Sequence, residues 1–387
     1  MERMAVISVD GHAKASRAGY RPYFEQKHLA AYDEWVAGQE RQELPDPGSV
    51  KPGLDPECQW DSERRLRELE REGVVAEVLF PNGLPFGTRR TAQGADTISP
   101  ELERQERLVY NRWLADFCEA APGRRSGQAV ISFDDVDQAV ADVHWAKEHG
   151  LGGIMMPSLM PGGTAFFNPV LDPVWAACQD LDLPISQHGG AGAPIYDPPG
   201  FAAIMTLAIE QQFYCGRSLW QMILGGVFDR FPRLQLIFVE TGADWIAPTI
   251  SDLDRRLSRD DDWMAFAKLM KRERTVAHLA SDYWGRNCHM GLSPFTMDQF
   301  ETGVDLDGGR ESAVTPDTVM FGVDFPHFES ITFETRDHIA GLLDHPAISE
   351  ATARQVLYEN AAAAYGFDLD FLGPHIERMG FEPRPTP

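Results

Sequence analysis

Lysine is almost missing from this chain of 387 residues, with six lysines against 29 arginines. That shortage removes most candidates for a lysine nucleophile or a lysine metal bridge. Cysteine is sparse as well. The five cysteines (Cys58, Cys118, Cys178, Cys215, Cys288) are odd in number, widely spaced and without a C-x-x-C pair, so neither a disulfide framework nor a thiolate zinc site is indicated. Positive charge is short overall: 35 Lys+Arg face 59 Asp+Glu, a formal net charge of −24. Such a field repels phosphate backbones and anionic headgroups, which argues against nucleic acid and membrane surfaces as partners. No apolar run approaches the roughly 20 residues of a spanning helix, and no basic segment followed by an apolar one opens the chain. A cytoplasmic protein is expected.

Against these absences stand eight short β-branched or apolar runs: AVISVDGH from Ala5, VVAEVLFP from Val74, GQAVISF from Gly127, GGIMMPSL from Gly152, PISQHGG from Pro184, LQLIFVETG from Leu234, NCHMGLSP from Asn287 and VMFGVDFPH from Val319. Most are continuously apolar before a polar tip, as strands buried on both faces of a parallel sheet are. Helical stretches separate them. One opens at Asp134 and is closed by Gly150. Eight such alternations predict an α/β fold, a (β/α)8 TIM barrel forming one domain over residues 1–372. The long excursion over 14–61 after strand one is expected to act as a lid or pocket wall, and residues 373–387 as a loose tail or packing arm. A homo-oligomer is expected.

The ionisable residues fall at the strand ends. Asp10 and His12 end strand one, His188 strand five, Glu240 strand six, and Asp324 with His327 strand eight, while His289 sits in strand seven. Residues two apart share a face of a strand, so Asp10 and His12 can enter the barrel mouth together. A buried carboxylate or imidazole on an apolar strand is costly unless paired or metal-bound, and a metal is the economical partner for so many. His289 and His327 could equally orient a ligand from behind it. Arg89 and Arg90, after strand two, are candidates to grip a carboxylate or phosphate-bearing substrate handle.

The D-x-H of strand one, Q-H-G of strand five and F-G-V-D-F-P-H of strand eight resemble the amidohydrolase superfamily, and within it the group of the aminocarboxymuconate-semialdehyde decarboxylases. The resemblance implies that Asp10, His12, His188 and Asp324 bind a metal or its water. Three features depart from the pattern. Glu240 stands where the decarboxylases carry a histidine, no lysine lies on strand four to bridge two metals, and His289 adds an imidazole.

Three carboxylates and up to four imidazoles exceed one four-coordinate ion and suggest two metals bridged by a carboxylate. In this the chain resembles the nonheme diiron monooxygenases of platensimycin and platencin biosynthesis. That likeness implies two Fe ions, O2 as co-substrate and a bulky acyl small molecule, such as a coenzyme A thioester, as the compound hydroxylated. The alternative is one Zn or Mn ion in a decarboxylase or hydrolase of a small carboxylate, with Glu240 or His289 as the catalytic acid or base.

Overall fold

The computed structural model describes residues 3–41, 50–86, 98–194, 196–198, 200–258, 262–272, 274–306 and 313–382. All eight expected strands form: β1 Ile7–Ala13, β2 Ala76–Pro81, β3 Arg125–Val130, β4 Gly153–Met156, β5 Ile185–His188, β6 Leu236–Val239, β7 Cys288–Leu292 and β8 Val319–Phe321. They lie in the order β1 to β8, and every neighbouring pair is parallel. The ring is drawn together by a parallel bridge from Gly11 to Phe325 and by Asp324 N–H donating to the Asp10 carbonyl at 3.1 Å. This is the predicted barrel. Its strands are buried almost throughout because helices cover the outside, which is why they read as apolar runs rather than alternating ones.

Local sequence places the helices. In the helix Ser62–Glu72, the Asp61 carboxylate accepts from Arg64 N–H at the start, and Gly73 takes a left-handed conformation (φ 85°) at the end. The excursion after β1 packs on the barrel. Its Phe24 and Tyr32 rings stack at 4.3 Å, Phe86 meets both edge-on, and Lys51 N–H donates to the Pro326 carbonyl at 2.8 Å. The tail expected from residue 373 begins inside a helix. The helix Leu369–Met379 runs straight through Gly373 and Pro374, and Phe381 then pairs antiparallel with Met4. Arg378 adds bonds of 2.7 Å to both Glu70 carboxylate oxygens, so this segment is a packing arm up to Glu382.

A candidate metal centre at the barrel mouth

Strand one carries a bulge. Ser8 pairs with Glu77 and Gly11 with Leu79, so β1 holds one extra residue between them, a device that re-aims side chains beside functional sites. Asp10 and His12 flank Gly11. A Cβ on Gly11 would lie 3.0 Å from both Arg65 Nη2 and Glu77 Oε2, so the absence of a side chain lets a buried ion pair press against the strand. Arg65 bonds Glu77 through Nε at 2.8 Å and Nη2 at 2.7 Å, and its Nη1 donates to the His12 carbonyl at 2.8 Å. Each of these three interactions props the D-G-H segment from behind.

Six of the seven predicted metal residues converge. His12 Nε2 is 3.2 Å from Asp10 Oδ1 and from Asp324 Oδ1. His188 Nε2 is 3.3 Å from Asp10 Oδ1 and 3.6 Å from Glu240 Oε2, and His327 Nδ1 is 2.8 Å from Asp324 Oδ1. The His12 and His327 rings stack with centroids 3.9 Å apart. Potential donor atoms form three overlapping groups: Asp10, His12, His188 and Glu240; His12, Asp324 and His327; and Glu240, Asp324, His327 and Glu329. Glu329 was not anticipated from the sequence, because it lies in the loop beyond the strand motif.

His289 does not join them. It is in register with Ile237, which is in register with Ser186, two residues before His188. The imidazole therefore sits near the opposite end of the barrel, where Asp317 is its charged neighbour and burial lowers its pKa to about 4. Its expected metal and acid–base roles are corrected on that geometry. Arg89 and Arg90 lie outside the described residues.

The mouth's electrostatics are those of a crowded anionic cluster. Burial opposes ionisation of Asp10, yet His12 and His188 overcome it and hold the carboxyl far below its ordinary range. Burial raises Asp324 to about 7, with Asp10 and Glu329 adding to the effect against His327. Glu240 is pushed well up by burial and by Asp324, Asp10 and Glu329, against the opposing pull of His188. Burial disfavours a charged His188, but Asp10 and Glu240 lift it to about 9. Glu240 and Asp324 both hold left-handed backbone, with φ of 55° and 63°. For non-glycine residues that costs about 1–3 kcal/mol each and clusters at functional sites.

Buried polar atoms without hydrogen-bond partners decide what this arrangement is for. Asp10 Oδ2, His12 Nε2, both Asp324 oxygens and His327 Nδ1 are buried without hydrogen-bond partners, and both imidazole nitrogens lie at ion-pair distance from Asp324 Oδ1. Left so, each would cost on the order of 1–3 kcal/mol. Carboxylate and imidazole lone pairs turned toward a common space are a donor set for a divalent cation.

Residues 60–367 match the family described as Amidohydrolase. The chain belongs to the amidohydrolase family. It is 23% identical over 309 residues to the γ-resorcylate decarboxylase of Polaromonas sp. (strain JS666 / ATCC BAA-500), a match covering 77% of this chain and 85% of that one. It is 27% identical over 201 residues to the 2-amino-3-carboxymuconate-6-semialdehyde decarboxylase of Dictyostelium discoideum, covering 50% of each. Among solved structures it resembles 5-carboxyvanillate decarboxylase of Novosphingobium aromaticivorans, complexed with manganese and 4-hydroxy-3-methoxy-5-nitrobenzoic acid. That likeness has a TM-score of 0.62 and 20% identity, and covers 94% of this chain and 96% of that one. In this amidohydrolase barrel the strand-four segment Gly153–Met156 carries no lysine.

Proposed function

We propose that this amidohydrolase is a divalent-metal-dependent decarboxylase acting on a small, unsaturated or aromatic carboxylate. The carrying observation is the set of orphaned carboxylate and imidazole atoms at the mouth, in a family whose relatives above are named as decarboxylases. Asp10, His12, His188, Asp324 and His327 would hold the ion, manganese or zinc, with Glu240 beside them. When bound, the metal supplies a Lewis acid that binds the substrate's carboxylate or hydroxyl oxygens and polarises them.

The reaction replaces a carboxylate by hydrogen, so R–COO⁻ and H⁺ become R–H and CO2. The chain must therefore deliver one proton to carbon. Glu240 is the candidate donor: its side chain keeps 24% exposure toward the mouth, and burial together with three neighbouring carboxylates favours its protonated form.

The expected diiron oxygenase finds no support in these relatives, which are named as decarboxylases, although the group Glu240, Asp324, His327 and Glu329 shares Glu240 with the group Asp10, His12, His188 and Glu240. None of the relatives described above carries iron or oxygen chemistry in its name. One experiment separates the two readings. Protein purified without air is assayed for bound metal, then given aromatic carboxylates such as 2,6-dihydroxybenzoate with CO2 release and O2 uptake followed together. CO2 release with manganese or zinc and no O2 uptake is the expected result. Two equivalents of iron with substrate-dependent O2 uptake would overturn it.

A further inference from the structure

Each histidine of the mouth has one ring nitrogen turned inward, and what holds the other nitrogen decides whether the inward one carries a lone pair. His12 Nδ1 lies 3.5 Å from the Pro81 carbonyl and His188 Nδ1 2.8 Å from the Gly189 carbonyl. Both acceptors favour a proton on Nδ1 and leave Nε2 for the site. His327 is reversed: Nδ1 faces inward and Nε2 faces away. Without a matching device, its common tautomers would present either a lone pair or a hydrogen to the site.

The device is a relay of two amides. Gln59, in the turn Pro56–Gln59, donates from Nε2 to the Pro56 carbonyl at 3.3 Å. A carbonyl can only accept, so the Gln59 amide is oriented with Oε1 pointing the other way. Asn82, at the tip of β2, donates from Nδ2 to that Oε1 at 2.7 Å. Its own Oδ1 is thereby aimed at His327 Nε2, 3.0 Å away. Oδ1 is again an acceptor only, so Nε2 must carry hydrogen, and in the neutral ring that leaves the lone pair on Nδ1. Asn82 is fully buried and Gln59 is 2% exposed, so bulk water does not compete for these bonds. Asn82 is held in place by its backbone N–H on the Ala13 carbonyl at 3.0 Å, while Lys14 N–H donates to the Gln59 carbonyl at 3.3 Å, tying the relay to the end of β1.

We propose that Asn82 and Gln59 are positioning residues: they lock His327 in its Nε2–H tautomer and so present Nδ1, beside Asp324, as a ligand for a divalent cation. The inference rests on the metal reading above and extends it to two residues outside the donor groups. It also gives the excursion after β1 a purpose, since Gln59 enters the relay from that excursion.

The test uses the full-length protein with Mn2+ as the probe. Asn82→Ala removes the acceptor and should weaken Mn2+ affinity in equilibrium dialysis by about 10- to 100-fold, the usual cost of losing such an outer partner. Asn82→Asp keeps an acceptor at the same place and should bind within about threefold of wild type. Gln59→Leu should fall between them, because Asn82 is then free to turn its amide. A merely structural role would make Asn82→Ala and Asn82→Asp alike. Nitrogen-15 NMR of histidine-labelled, metal-free protein reads the tautomer directly: His327 Nδ1 should show the unprotonated shift in wild type and lose it in Asn82→Ala. Equal Mn2+ affinity in Asn82→Ala and wild type, or a protonated Nδ1 in the wild type, would overturn the inference. A wild type that takes up no Mn2+, Zn2+ or Fe2+ would instead overturn the metal reading, with the NMR result still deciding the tautomer.

Discussion

Glu240 and His289 separate at the level of single side chains. Both are polar residues on apolar strands, and both are candidates for acid–base work from sequence. Glu240 follows its apolar run and reaches the mouth, whereas His289 is the second residue of β7, ahead of Met290–Leu292. The apolar residues after His289 were the signal that it sits low in the barrel. A period of two tells which face a strand residue occupies but not its height along the axis. Replacing Glu240 with Gln should cut decarboxylation by about 10²- to 10⁴-fold, the usual contribution of a positioned proton donor, while His289→Gln should stay within about threefold of wild type. Steady-state kinetics of the two variants, each checked for metal content, decides it; a His289 variant as impaired as the Glu240 variant would return the imidazole to the chemistry.

At the scale of elements, the D-G-H segment shows how a ligand pair is built. The sequence displayed Asp10 and His12, and their spacing, but not the bulge or the reason for Gly11. That reason is three-dimensional: the Arg65–Glu77 pair, contributed by the helix Ser62–Glu72 and by β2, occupies the space a Cβ would need. Gly11→Ala is therefore expected to destabilise the fold by about 1–3 kcal/mol, as overpacking does, and to weaken Mn2+ binding as the bulge shifts. Denaturant unfolding and dialysis measure the two effects; an unaffected Mn2+ affinity would show that the bulge tolerates the shift.

The C-terminal arm follows the same logic. Gly373 and Pro374 look like a stop, yet Asp368 caps the helix, and Arg378 fastens it to Glu70. Hydrogen bonds from Arg378 and Arg124 hold the Glu70 carboxyl at about 2, against the burial that would raise it. A carboxyl depressed in the folded state stabilises at pH values above its unfolded value, near 4.5, and loses that contribution as pH falls toward 2. With Arg378 exposed to solvent, screening reduces that contribution to about 1 kcal/mol. Glu70→Gln should flatten the loss of stability between pH 4.5 and 2, and an unchanged acid limb would assign that loss to other carboxylates.

Over the whole molecule, the barrel was the most legible feature because parallel strands buried on both faces leave an unbroken apolar signature, and all eight formed where such runs were found. The site was legible where it sat on those strands. It was not legible where helix, excursion and loop residues supply the support, as with Arg65, Gln59, Asn82 and Glu329. The net charge of −24 gains a local meaning from the same geometry, since Asp10, Glu240 and Asp324 bring carboxylates together within one buried cluster. Folding the metal-free chain must hold these groups close, which explains why burial and mutual repulsion raise Glu240 and Asp324. A divalent cation relieves that repulsion only in the folded state, so it stabilises by mass action, about 2.7 kcal/mol at a free concentration one hundred times its Kd. Chelation should therefore lower the melting temperature, and Mn2+ or Zn2+ should restore it in a concentration-dependent way. In Glu240→Gln the gain in melting temperature on adding metal should shrink, because a carboxylate donor is gone. Differential scanning calorimetry of the four states closes this cycle. A melting temperature independent of metal in the wild type would mean that the mouth satisfies its own lone pairs without a cation.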